Sequence, residues 1–504
     1  MSPSTVLKPW HWFIFAATVP LAHCASRLNL DLWHDEIYTV DYFVSRGPLF
    51  IVSDYSLPNN HVLYSLILWP FYLVSDVNFV LRLPSFLFTV GTLAFVFAIA
   101  LRQSGLICAV LSTSLLGLNQ MFLIHAIQVR GYGVSMFLTA WLTFLALADS
   151  SRTRRRWIAV VLAGAALLYV MSTNALLFVP LALASVLVRV ARRVEAREVA
   201  ADVSAWFTAA LVALACYLPI AEQVRAVAKS SAPSSWSSLP HLVANFFRPA
   251  LHDYFWFAPV MLASLAAIAL TTDKNKPRRW TLPAVALGVV FGAFLLTAAL
   301  RISPFERNYC PLLVLLALLG GWLLAELIGA VHVRSSLRTP SVATGLSLAL
   351  AALVLCPQLW TYPRRLKERR EQIEPANQWI TDGYYCYYAA DYRPSAVVAY
   401  LAEQDFERLP FCVAYAKADF LNIWWYFYHS RLSGVSPPRG VVDIYAIAPE
   451  PPPWNALADY NHFSEQDVKS FRLIADFGFY RLYRTQNPVD VGDPPDMRTS
   501  GGRE

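Results

Sequence analysis

Long apolar runs dominate the chain as far as Tyr362 and then cease. A run of about 17–25 residues is what carries a helix across a bilayer, and about eleven can be traced. They are Trp10–Ala25, Leu83–Leu101, Leu106–Ile124, Gly131–Ala148, Trp157–Met171, Ala175–Val188, Val203–Ile220, Tyr254–Leu270, Trp280–Leu300, Tyr309–Ala330 and Val342–Tyr362. A few are short and need flanking residues or a thinned bilayer. One further stretch, His61–Val74, is shorter still and contains Pro70. After Tyr362 the pattern becomes that of a mixed α/β domain. Arg364–Ile380 and Pro394–Gln404 read as helices, and Tyr384–Ala389 and Phe411–Tyr415 as strands. Phe471–Tyr483 reads as one or two strands, and Pro451-Pro452-Pro453 as a loop. From Asn487 the chain is polar and rich in Pro and Gly, the composition of a disordered tail. The pattern predicts a polytopic α-helical membrane part (1–362, with a first outer loop at 28–81), a small soluble α/β domain (363–486) and a tail (487–504).

Composition agrees. Hydrophobic residues make up 57% of the 504 and charged ones only 15%, against about 25% charged in an average soluble domain. The net charge of +7 matters through its placement. Arg152, Arg154, Arg155 and Arg156 mark one short basic loop, Arg192, Arg193 and Arg197 a second, Lys274, Lys276, Arg278 and Arg279 a third, and Arg334 with Arg338 a fourth. Such loops face the cytoplasm. Both ends of the segment between the first two are basic, so it must fold as a hairpin turning near Ser172-Thr173-Asn174. Counting spans outward from there puts Arg82 and Arg130 outside. The count closes only if His61–Val74 lies along or dips into the outer face without crossing. The domain after Tyr362 then lies outside, on the periplasmic side of the inner membrane. Lys8 before an apolar stretch ending in Leu21-Ala22-His23-Cys24-Ala25 imitates a signal peptide, but His23 is poor at a cleavage site, and Trp10–Ala25 reads as a retained first span. The seven cysteines have no metal-ligand spacing. Cys24, Cys108, Cys216, Cys310 and Cys356 read as small core residues, while Cys386 and Cys412 could be bridged in an oxidising compartment. No nucleic-acid-binding motif is present.

Five polar clusters fall on the outer side. The first is Trp33-His34-Asp35-Glu36-Ile37-Tyr38, two adjacent acids among aromatic residues just beyond a span. The second is Asn59-Asn60-His61-Val62-Leu63-Tyr64, where an asparagine could simply cap a helix. The others are Arg82-Leu83-Pro84-Ser85, His125-Ala126-Ile127-Gln128-Val129-Arg130-Gly131-Tyr132 and Glu306-Arg307-Asn308-Tyr309. Arg82, Arg130 and Arg307 stand at span boundaries against the inside bias. Each could be an anchor snorkelling to lipid head groups. Three arginines with two carboxylates in one compartment point to chemistry on a phosphate.

In the order of these clusters the chain resembles the polyprenyl-phosphate-dependent glycosyltransferases of the GT-C fold. The closer resemblance is to the bacterial branch related to protein O-mannosyltransferases and lipid A aminoarabinose transferases. It extends from Trp10 to about Tyr309. It rests on the acidic pair Asp35-Glu36, on Asn60-His61 with Tyr64, on Arg82-x-Pro84-Ser85 and on Arg130-x-Tyr132. Two positions depart: the proline usual after the histidine is Val62, and an acid expected near Arg130 is Gln128.

The resemblance implies a membrane enzyme that moves a hexosyl or pentosyl group from a polyprenyl-phosphate donor to a hydroxyl of a lipid, glycan or protein. It also implies inversion at the anomeric carbon and Asp35 as general base. Glu36 joins it as a catalytic candidate. His34, Tyr38, Asn60, His61, Tyr64, Arg82, Gln128, Arg130, Tyr132, Arg307 and Tyr309 are the candidate substrate contacts. A sugar on a lipid phosphate already has a good leaving group, so such an enzyme needs a base and a clamp on the phosphate more than a strong acid. Whether a divalent metal takes part stays open. Two rivals remain: a lipid or polysaccharide transporter, and a non-catalytic glycolipid-binding protein. Transporters place charges inside spans or show internal repeats, whereas here the charges gather at the outer ends and no repeat is visible.

Overall fold

The computed structural model describes residues 8–56, 59–148, 153–230, 280–300, 302, 304, 306–334, 393–404, 411–414, 425–430, 441–448, 464–478, 480–486 and 489–490, with Pro240, Val243, Phe246 and Trp454 singly. Packing divides the chain into two units. One comprises Met1–Leu28 and Thr39–Pro363, the other Asn29–Tyr38 and Arg364–Glu504. The sequence places the acidic segment in the membrane part, as part of its first loop. By its contacts it groups with the C-terminal unit.

The described helices in chain order are α1 (Pro9–Ala25), α2 (His34–Tyr38), α3 (Pro48–Ser53), α4 (Val62–Val74), α5 (Asn78–Ser104), α6 (Leu106–Gly117), α7 (Gln120–His125), α8 (Tyr132–Leu147), α9 (Thr153–Val170), α10 (Ala175–Ala191), α11 (Ala196–Tyr217), α12 (Ala221–Ser230), α13 (Thr281–Leu300), α14 (Leu312–Arg334), α15 (Pro394–Glu403) and α16 (Glu465–Ser470). Five helical stretches among them are long and apolar enough to cross a membrane: Asn78–Ser104, Ser172–Ala191, Ala196–Val227, Thr281–Leu300 and Leu312–Gly329. Large apolar side chains such as Leu183, Phe207 and Phe291 stand exposed on these helices. Helices of this length that are also apolar on their outward faces are solvated by lipid. The chain is a multi-pass membrane protein.

Several boundaries differ from the sequence reading. The single span expected over Leu106–Ile124 is broken. Helix α6 ends at Gly117, and Asn119 caps α7 by accepting the Phe122 N–H at 2.9 Å. The polar side chain starts a second helix at the point where apolar periodicity alone would continue the first. Helix α5 begins at Asn78, more than a turn before Arg82, with Pro84 inside it. The hairpin between α9 and α10 turns through a short 3-10 segment at Ser172–Asn174, where the basic loops require it. Helix α4 has 13 residues, a rise of about 20 Å. That is too short for the roughly 30 Å hydrocarbon core. The expected spans at 254–270 and 342–362 lie outside the described residues.

Close approach of helices depends on small residues. A Cβ on Gly321 of α14 would lie 2.1 Å from Ser112 Oγ and 2.6 Å from Ser112 N on α6. The two helices therefore cross almost backbone to backbone. At the opposite end, α9, α10 and α11 are tied by ions. Arg156 grips both oxygens of Asp202 (2.9 and 2.8 Å), and Arg189 reaches Asp202 at 3.3 Å and Glu198 at 3.0 Å. Arg156 is thus not simply a cytoplasmic loop charge; its side chain is 2% exposed.

In the C-terminal unit, a four-stranded sheet has the order β1 (Phe411–Ala414), β3 (Ile444–Ala448), β5 (Arg481–Thr485), β4 (Phe471–Asp476). Strands β1 and β3 run parallel and the other neighbours antiparallel, with a register shift in β4 at Leu473/Ala475. Strand β3 falls where the sequence pattern predicts no element. Val489–Asp490, inside the expected tail, forms a strand paired with Val441–Val442. The expected elements at 364–380 and 384–389, the loop at 451–453 and residues 491–504 lie outside the described residues. So do Cys356 and Cys386, while Cys24, Cys108, Cys216 and Cys310 are free thiols.

Candidate functional site

The acidic segment is built by its own helix start. Trp33 is buried, and its N–H donates to Glu36 Oε2 at 3.1 Å, closing the first turn of α2. Glu36 is fully buried. Its carboxylate thereby satisfies an amide that a helix start leaves without an intrahelical partner. Asp35 differs: its side chain is 15% exposed and lies 3.4 Å from Nε2 of His34. Of the two acids, Asp35 is the one a solute can reach. The segment is held from behind. Asp31 accepts from the backbone N–H of Ser395 at 2.7 Å and from its hydroxyl at 2.9 Å, at the N-terminus of α15, where negative charge is favoured. The Leu32 N–H donates to the Tyr426 hydroxyl at 2.7 Å. Asp31, Ser395 and Tyr426 escape sequence reasoning because their partners lie more than 360 residues apart. Tyr38 closes α2 and is half-buried.

The basic clusters lie in the other unit and are interlocked there. Arg130 Nη1 donates to Asn59 Oδ1, and Arg130 Nη2 lies 3.2 Å from His61 Nε2. The N–H of Gly131 donates to His61 Nδ1 at 2.7 Å. A neutral imidazole has one donor and one acceptor nitrogen. Since Nδ1 accepts, Nε2 carries the proton, and Nε2–H faces a guanidinium that also only donates. Both groups can donate to an anionic oxygen. Tyr132 floors the pair, its ring 5.1 Å from that of His61 and 5.5 Å from the Arg130 guanidinium carbon.

Around this core the remaining residues divide by what they bond. Asn60 donates to the carbonyls of Ile51 and Asp54, both at 2.8 Å, and accepts from Ser65. It pins a loop, and neither asparagine caps α4, whose N-cap residue is His61 with no side-chain cap bond. The Tyr64 and Ser85 hydroxyls lie 2.8 Å apart, and Ser85 donates to the Gln128 carbonyl at 2.6 Å. Thr89 adds a bond to the Ala126 carbonyl at 2.8 Å. The 126–128 turn is thereby fixed to α5. His125 Nδ1 donates to Gln128 Oε1 at 2.9 Å. Burial pushes the His125 imidazole down to about 3; the Gln128 bond opposes this, and the charges of Arg307 and Arg130 reinforce it. His125 is therefore a neutral ring beside two cations. Arg82 and Arg130 are 0% and 2% exposed, which does not suit a snorkelling anchor, whose head must reach the lipid surface. Arg307 is half-buried. Tyr309 is buried. Among the described residues, no group of three or more His, Cys, Asp or Glu side chains could hold a metal ion.

Gly131 is a close-packed point of this cluster. A Cβ there would meet Val170 Cγ1 at 2.4 Å and His61 Nδ1 at 2.9 Å. Gly131→Ala is expected to displace His61 and to cost about 1–3 kcal/mol of stability, the usual range for overpacking. Gly329→Ala, where a Cβ meets nothing within 4 Å, is the control. Thermal unfolding of the two purified variants checks this; equal melting would show that the His61 contact gives way freely.

No protein-family model matches the chain, and no curated protein matches it. Solved structures do. ArnT from Cupriavidus metallidurans bound to undecaprenyl phosphate is similar at 14% identity, with 94% of this chain and 98% of that one covered and a TM-score of 0.48. The arabinosyltransferase EmbB from Mycobacterium smegmatis is similar at 13% identity over 72% of this chain and 39% of that one, with a TM-score of 0.43. The oligosaccharyltransferase of Archaeoglobus fulgidus in its apo form is similar at 11% identity over 85% and 64%, with a TM-score of 0.45.

Proposed function

We propose that this chain is a membrane glycosyltransferase of the GT-C type. It would move a sugar from a polyprenyl-phosphate donor to a hydroxyl of a lipid, glycan or protein acceptor, on the outer face of the cytoplasmic membrane. The observation that carries this reading is the buried cluster of Arg130 and His61, with Nη2 of the guanidinium 3.2 Å from Nε2 of the ring. The ordered motifs from Asp35 to Tyr132 supply the reaction class. In the proposed step Asp35 takes the proton of the acceptor hydroxyl as its oxygen bonds to the anomeric carbon. The bond from that carbon to the phosphate oxygen breaks with inversion, and the lipid phosphate leaves with the electron pair. Arg130 and His61 take up the charge that grows on the phosphate. Tyr132 and Asn59 hold the guanidinium in place.

Arg130→Ala tests the assignment. A lost charge-assisted hydrogen bond is worth roughly 1.5–3 kcal/mol, so donor use below saturation is expected to fall by about 10–100-fold. Arg130→Lys is expected to recover part of this, since an ammonium lacks the bidentate fork. Wild-type transfer by Arg130→Ala at low donor concentration would remove Arg130 from the site.

The basic loops support an outer location for the chain after Tyr362. An enzyme reporter that works only outside the cytoplasmic membrane, fused after Tyr362, is expected to be active. A silent reporter there, with a cytoplasmic reporter active at the same point, would overturn the proposed orientation.

A further inference from the structure

A lipid-sized groove lies apart from the arginine cluster, between α10 and α13. Helices α10 and α13 touch where a Cβ on Gly292 would lie 2.9 Å from Pro180 Cβ. Elsewhere they part to leave a groove of about 1000 Å³. Its lining is aliphatic, with Leu183, Leu187 and Leu295 among the walls, and Gly288 opens onto space with nothing within 4 Å of a Cβ built there. From Val179 to Arg192 the groove follows 14 residues, a rise of about 20 Å. One leaflet of hydrocarbon is about 15 Å deep. The groove is therefore long enough for a lipid chain from end to end.

Among the described residues that line it, the polar groups are all at one end. Arg192 is the charged residue among the lining residues, and Trp280 and Thr281 join it there at the start of α13. Arg192 Nη1 donates to the Leu147 carbonyl at 3.1 Å, which holds the guanidinium at the mouth. Trp beside a cation is the usual pairing at a membrane interface. The other end of α10 begins next to Asn174, which lines a small recess with Asn308 and Tyr309, close to the candidate site. A donor whose phosphate sits at Arg130 cannot also place that phosphate at Arg192.

We propose that this groove binds a membrane glycerophospholipid of the cytoplasmic leaflet, with its acyl chains between α10 and α13 and an anionic head group at Arg192 and Trp280. The site is separate from the donor site, and it does not depend on the catalytic reading.

Native mass spectrometry of the full chain, released from detergent micelles with added phosphatidylglycerol, phosphatidylcholine or undecaprenyl phosphate, tests it. Wild type is expected to retain one phosphatidylglycerol about five-fold more tightly than phosphatidylcholine, the order of effect for one basic residue at a charged head group. Arg192→Gln is expected to abolish that preference while retaining either lipid weakly. Gly288→Phe, filling open space, is expected to reduce retention of both lipids at least ten-fold with unchanged melting. Should Gly288→Phe not fold, the Arg192→Gln comparison decides alone. Equal head-group preference in wild type and Arg192→Gln overturns the proposal. So does displacement of phosphatidylglycerol by one equivalent of undecaprenyl phosphate, which would make the groove part of a donor site. Loss of transfer in Asp35 or Arg130 variants leaves these outcomes untouched.

Discussion

Asp35→Asn is expected to insert, fold and bind the lipid donor, and to transfer sugar about 10²–10⁴-fold more slowly, the usual cost of removing a general base. The substitution keeps the size of the side chain and one acceptor oxygen but cannot take a proton from the acceptor hydroxyl. Local geometry separates its expected phenotype from that of its neighbour. Glu36 is fully buried and spends its carboxylate on the Trp33 N–H, whereas Asp35 is part-exposed beside His34. Glu36→Gln keeps an acceptor oxygen for that amide and is expected to be milder on rate, with some loss of stability from a weakened charge-assisted bond. The measurement is sugar transfer in purified membranes with donor binding followed separately. Full transfer by Asp35→Asn with loss in Glu36→Gln would exchange the two roles. Full transfer by both would end the catalytic reading of this segment and favour the transporter or binding-protein alternatives.

The largest effect on stability is expected at the other end of the helices. Asp202 is 3% exposed and takes two bonds from Arg156 and a third approach from Arg189. Asp202→Ala leaves two guanidiniums converging on a site with no charge between them. Breaking a buried ion pair from one side costs about 3–5 kcal/mol. Arg189 retains Glu198 at 3.0 Å and Arg156 retains the Leu145 carbonyl and Ser185, so the lower part of that range is the expectation. Arg156→Ala is expected to cost less than Asp202→Ala, because Arg189 still neutralises the aspartate. Equilibrium unfolding in mixed detergent micelles checks both variants, and a double-mutant cycle isolates the pair. An Asp202→Ala variant within 1 kcal/mol of wild type would mean that the cluster is solvated in the folded protein.

Much of the membrane architecture was legible because one solvent imposes it. A bilayer demands runs of apolar residues of a set length, and basic loops mark the cytoplasmic side. The α9–α10 hairpin and its turn at Ser172–Asn174 could be placed from charge alone. The break after Gly117 could not, because Asn119 sits in a stretch that is apolar on average and acts through a single cap bond. The short α4 was legible by its length. Strand β3 was missed because it is held by pairing with β1 and β5, which come from other parts of the chain.

Residue types and their order were determined by the sequence itself: an acidic pair after the first apolar run, a histidine-bearing loop, and arginines near the ends of apolar runs. Those are properties of composition and spacing, and they were enough to point to phosphate chemistry. Which of those residues bond to which was decided only by the tertiary structure. It turns Asn60 into a loop pin and Glu36 into the closure of a helix turn. It buries Arg82 and Arg130, 0% and 2% exposed, away from the protein surface. It also makes Arg156, which the sequence reads as one more cytoplasmic charge, the partner of an aspartate 46 residues away. The physical reason is common to all of them. A polar group removed from water must find a partner, and that partner is supplied by whichever segment folding brings alongside, which spacing along the chain does not encode.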